Sequence, residues 1–67
     1  MDYEKERARL TAEIVKVSAE VERLDKKLSN QGFVAKAPAA VVDAERAKLA
    51  AAREKLTATE AALAKLG

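Results

Sequence analysis

Two stretches of this chain place aliphatic residues at alternating steps of four and three, and a breaker-rich segment separates them. In the first, Leu10, Val17 and Leu24 fall at heptad d, and Ile14, Val21 and Leu28 at a. Continuing the seam backwards puts Tyr3 at d and Arg7 at a. In the second, Val42, Leu49, Leu56 and Leu63 fall at a, and Ala52, Thr59 and Leu66 at d. Glu45 occupies a d position near the start, a flaw in the pattern. Each stripe is one narrow apolar face, so neither helix is stable alone. The intervening segment, Ser29 to Pro38, holds the only Phe, the only Pro and one of the two glycines. Gly32 is expected to take the left-handed conformation that ends a helix, and Pro38 to sit in the first turn of the next. The expected fold is all-α, a two-helix antiparallel coiled-coil hairpin. Its helices cover about 2–29 and 38–66 with a tip at about 30–37, forming a stalk roughly 40 Å long.

Facing charges favour one register. With Leu24 opposite Val42, Val17 opposite Leu49 and Leu10 opposite Leu56, the polar pair Arg7 and Thr59 also meet. The flanking positions then bring Glu20 to Lys48 and Glu13 to Lys55. A slip of one heptad sets Val17 opposite Leu56 and brings Lys27 towards Lys48, which like-charge repulsion disfavours. The first register is therefore expected, although flanking pairs choose between registers more than they stabilise.

Composition narrows the function classes. Sixty-seven residues make one small domain. Charged residues are 36% and aromatic residues 3%, with an alanine-rich apolar share, as in coiled coils. There is no cysteine and no histidine, so a disulfide framework, a thiolate metal site and the commonest general base are all excluded. No cofactor is expected to bind this chain. The carboxylates sit at helical spacings on wet faces, where no cleft can shift their pKa values. No apolar run approaches the ~20 residues of a membrane span. Secreted domains of this size ordinarily need disulfides, so a cytoplasmic setting without membrane contact is expected.

Charge is concentrated at the turn end. From Arg23 to Lys48 there are six bases (Arg23, Lys26, Lys27, Lys36, Arg46, Lys48) and three acids, whereas the remainder has seven bases and eight acids. A basic tip on a stiff rod suits a polyanion, whose phosphates give affinity without sequence information. The plain alternative is that these are solvated surface lysines. Phe33 and Val34 also have two readings: they cover the open end of the seam on Leu28, Val41 and Val42, or Phe33 offers a stacking face to an unpaired base. Asn30 reads first as a local cap and second as an RNA contact.

The stretch "KLSNQGFVAKAPAAVVDAERAKLAAAREKL" resembles the C-terminal coiled-coil arm of bacterial valyl-tRNA synthetases. Heptads alone are weak evidence; the turn pattern is the specific part. That pattern is Ser29-Asn30, Phe33-Val34, Lys36-Ala37-Pro38 and Val41-Val42, followed by Glu45-Arg46 and Lys48-Leu49. The resemblance covers essentially the whole chain. It implies a non-catalytic appendage of a larger class I aminoacyl-tRNA synthetase, a valine–tRNA ligase that binds ATP and valine elsewhere. It implies valine-specific tRNA and the synthetase body as partners, with the tip meeting the outer corner of the tRNA where the D and T loops join. The residues expected to meet nucleic acid are Arg23, Lys26, Lys27, Asn30, Phe33, Lys36, Arg46 and Lys48. A monomeric hairpin is expected, with a swapped dimer open to it at high concentration. The rival reading is a protein-interaction or spacer hairpin that binds no RNA. The alanines on the back of the second helix (Ala44, Ala47, Ala50, Ala51, Ala58, Ala61, Ala64) would suit its smooth docking face, or simply fill surface positions with the best helix former.

Overall fold

The computed structural model describes residues 2–66. Two long helices, α1 (Tyr3–Ser29) and α3 (Ala39–Leu66), lie antiparallel and pack along their seams, and a short helix α2 (Gln31–Lys36) closes one end. The result is a rod 50 × 14 × 13 Å across its principal extents. No helix is long and apolar enough to cross a membrane among the described residues.

Local sequence explains where each helix starts and stops. The Asp2 side chain accepts from the backbone N–H groups of Glu4 and Lys5 at 3.1 and 3.2 Å, which satisfies two of the donors left open at the start of α1. Glu4 and Glu6 lie in its first turn and Lys26 and Lys27 in its last, the arrangement that the helix dipole favours. Asn30 then leaves helical geometry while beginning α2. Its Oδ1 accepts from Gly32 N at 2.9 Å, and its carbonyl accepts from Phe33 N and Val34 N. Ala37 is extended, as the residue before a proline should be. Pro38 stands one residue before α3, and its carbonyl accepts the first bonds of that helix from Val41 N and Val42 N.

Two expectations about the turn change. Gly32 does not end a helix in a left-handed conformation; it is the second residue of α2. What it offers is room: a Cβ there would lie 3.2 Å from Asn30 Oδ1, crowding the cap. The tip is also not an irregular loop, because six of its residues form α2.

The buried residues are seam residues. Leu10, Val17, Leu24, Val42, Leu49 and Ala52 make up the core, and Leu24 is 0% exposed. Val21, Leu28 and Leu56 pack against the central cluster of Val17, Leu24, Leu49 and Ala52. The seven alanines on the back of α3 are all exposed.

The register is the slipped one. Arg53 Nη2 lies 3.4 Å from Asp25 Oδ1, and Lys55 Nζ lies 2.9 Å from Glu13 Oε1. With Leu24 opposite Val42, Asp25 would face Val41, twelve residues and about 18 Å along the axis from Arg53, too far for the side chains to span. With Leu24 opposite Leu49, Asp25 and Glu13 each stand five residues, about 7.5 Å, from their partners, within reach of Arg and Lys. A second slip would put Glu13 as far from Lys55 as the first register puts Asp25 from Arg53. The core agrees: Val42 is buried yet lies outside the Leu24 cluster. The expected Glu13–Lys55 pair forms, while Glu20 pairs with Arg23 of its own helix at 3.5 Å instead of Lys48.

The slip has consequences along the rod. Thr59 falls opposite Ile14 instead of Arg7, and its hydroxyl donates to the Lys55 carbonyl at 2.8 Å. Tyr3, expected in the seam, is exposed. Val41, expected to help close the seam, is partly exposed.

Removal of a buried leucine side chain costs roughly 2–5 kcal/mol, comparable with the whole stability of a chain this size at about 0.05–0.15 kcal/mol per residue. Leu24→Ala should therefore abolish most of the cooperative thermal transition followed by circular dichroism. An unchanged melting temperature would remove Leu24 from the core.

Candidate nucleic-acid interface

The tip is built on a carboxylate inside the seam. Glu45, at a d position, keeps only 12% of its side chain exposed. Its Oε1 lies 3.4 Å from Lys27 Nζ across the helix pair and 3.6 Å from Lys48 Nζ on its own helix. The slipped register does bring the two lysines to one place, and Glu45 stands between them. The repulsion that argued against this register is offset by the residue that looked like a flaw.

Burial alone would push the Glu45 carboxyl upward, but the combined attraction of Lys27 and Lys48 outweighs it and leaves the pKa below the ordinary value. Glu13 is also lowered, first by its hydrogen bond to Lys55 and then by that ammonium's charge. Lys27 makes one further contact: its Nζ lies 5.0 Å from the Phe33 ring centroid, within cation–π range. Lys48, Glu45, Lys27 and Phe33 thus form a chain of contacts running from α3 through α1 to α2.

The eight residues expected to meet nucleic acid fall into distinct groups. Arg23 pairs with Glu20 at 3.5 Å, Lys26 with Glu22 at 3.3 Å, and Lys27 and Lys48 share Glu45. Asn30 commits its oxygen to the cap of α2. Phe33 is half-buried at the end of the seam with Lys27 against its ring, so it combines covering and partial exposure. Lys36, at the end of α2, and Arg46, near the start of α3, are exposed and make no ion pair among the described residues. Farther down the stalk, Arg9 is tied to Glu6.

Two features of this site escaped the sequence reading. Helix α2 did, although Asn30 is a strong N-cap type and Pro38 a clear stop. The joining role of Glu45 did too; its signal was an acid at d flanked by lysines at both neighbouring g positions.

Among the described residues, no acidic cluster could hold a metal ion. The ionisable groups of the tip lie on exposed helix faces apart from one carboxylate largely enclosed in the seam, and the basic ones suit the phosphates of a polyanion.

Comparison with known proteins decides the family. The family described as the valyl tRNA synthetase tRNA binding arm matches residues 2–67. The chain belongs to that family. Curated relatives include the valine–tRNA ligase of Carboxydothermus hydrogenoformans, 61% identical over 51 residues, or 76% of this chain and 6% of that protein. That of Syntrophotalea carbinolica is 50% identical over 66 residues, covering 98% of this chain and 7% of the relative. That of Lacticaseibacillus casei is 44% identical over the same length, 8% of the relative. The arm therefore spans less than a tenth of the length of these curated relatives. No solved structure is a significant match.

The lowered carboxyl pKa values fix the sign of the pH response. Groups depressed in the folded state stabilise it above their unfolded value, about 4.3 for glutamate, and that contribution is lost as pH falls through the folded pKa. The melting temperature of the arm should fall as pH drops below about 4.3, and Glu45→Gln should flatten the fall. A variant that kept the wild-type acid response would show that the seam carboxylate does not titrate with folding.

Proposed function

We propose that this chain is the arm by which a cytoplasmic valine–tRNA ligase holds its tRNA, meeting the outer corner of the molecule where the D and T loops join. The observation that carries this is the excess of base over acid at one end of a 50 Å rod, six to three from Arg23 to Lys48, with the cations Lys36 and Arg46 exposed there, in a family described as tRNA-binding. Phosphates are the chemistry they fit, because a two-helix tip has no groove in which to read base edges. The arm on its own then binds weakly, with strong salt dependence and little discrimination among tRNAs. Identity, valine activation and ATP binding belong to the rest of the ligase. The arm serves as a second point of attachment that raises the effective concentration of tRNA at the body.

Each phosphate contact contributes about 0.7–0.9 to the slope of log affinity against log salt. Changing Lys36 and Arg46 together to alanine should lower that slope by about 1.4–1.8. In a ligase carrying the arm, the same change should raise the apparent KM for tRNA and leave valine activation untouched. The helices should be unaffected, since both residues are exposed and outside the seam. A double variant with the wild-type slope and KM would put the contact elsewhere on the stalk, and a wild-type arm with no measurable affinity for tRNA would support the spacer.

A further inference from the structure

Helix α2 carries Lys36 and Phe33, and it is weakly held. It has six residues and none is buried, whereas an isolated helix needs roughly 12–15 residues to be even marginal in water. Its moorings are the Asn30 cap, packing against α1, and the contact of Lys27 with the Phe33 ring. Lys27 is itself held in place by Glu45, whose carboxylate is largely enclosed in the seam.

We infer that Glu45 is a positioning residue for nucleic-acid binding: through Lys27 it fixes the Phe33 ring, and with it α2, so that Lys36 is presented in one place. Lys27 is then an internal strut of the tip and not a phosphate contact. This rests on reading the tip as the RNA-binding end. The reason it matters for affinity is entropic. An α2 that is already ordered loses little freedom when a phosphate binds Lys36, whereas a loosened one must be ordered at that moment.

The inference makes an unusual demand on charge. Removing an acid from a basic tip should, on charge alone, strengthen binding to a polyanion. Positioning requires the reverse. Glu45→Gln in the 67-residue chain should weaken binding to a valine-specific tRNA transcript by about three- to tenfold, the worth of a cation–π contact and its partner. Its salt slope should stay at the wild-type value, and amides of residues 31–36 should exchange faster. Glu45→Leu supplies a second arm. It places an apolar residue at d, so the stalk should melt higher while tRNA binding still weakens. That combination, with Val17 still opposite Leu56 by inter-helix nuclear Overhauser contacts, separates positioning from loss of fold. A register that moves in the variants together with the loss of binding would overturn the inference in favour of register selection alone.

Unchanged or tighter binding in either variant would overturn the inference. So would a slope that rises by a contact's worth, which would make Lys27 a masked phosphate ligand. If the wild-type chain binds no tRNA, the functional reading fails by itself. The exchange measurement then still decides the linkage, since wild-type exchange rates at 31–36 in both variants would refute it independently.

Discussion

The carboxylate of Glu45 between the ammonium groups of Lys27 and Lys48 is the interaction on which the rest of this hairpin depends. An acid at d lowers the apolar content of the seam, and this one is largely enclosed there. Sequestering one charge costs free energy unless opposite charges stand close. Here two do, one from each helix, and that requirement is satisfied in only one of the registers that the apolar pattern permits. In coiled coils generally, a single polar seam residue is the best attested device for choosing register. The apolar layers set that the helices pair; the polar one accounts for how far along they pair.

That choice shapes the tip. With the helices slipped by one heptad, α3 starts beyond the end of α1. Helix α2 lies between them in the chain with Phe33 and Val34 half-buried, and Val42 of α3 is buried. Lys27 turns inward to Glu45 and Phe33, and Asp25 turns towards Arg53, away from the tip. Lys36 and Arg46 are left facing solvent.

Much of this was legible in the residue pattern. The steps of four and three gave both helices to within a residue or so of their ends, because a heptad seam tolerates few alternative structures. The turn pattern from Ser29 to Leu49 pointed to the right family, since its residue types are unusual for a mere connection. What could not be read was set by long side chains and by a polar exception. Arg53 and Lys55 reach five residues along the axis, so pairing charges by proximity in a helical diagram picked the wrong register. Glu45 looked like a flaw because heptad rules score burial and not charge neutralisation. Gly32 looked like a helix terminator because that is the commonest use of glycine near a helix end; here it makes space for the Asn30 cap. The acids beside the site residues were not legible either: Arg23, Lys26, Lys27 and Lys48 were selected for their charge, and only coordinates show the carboxylates next to them.

The most direct test of the account is a titration of isotopically labelled arm with valine-specific tRNA, followed residue by residue through backbone amide signals. The account predicts that the largest changes lie in α2 and at Arg46, that they disappear at high salt, and that the root of the stalk around Leu10 and Leu63 is unperturbed. Changes concentrated along the stalk flanks or the alanine face of α3, with α2 silent, would contradict it.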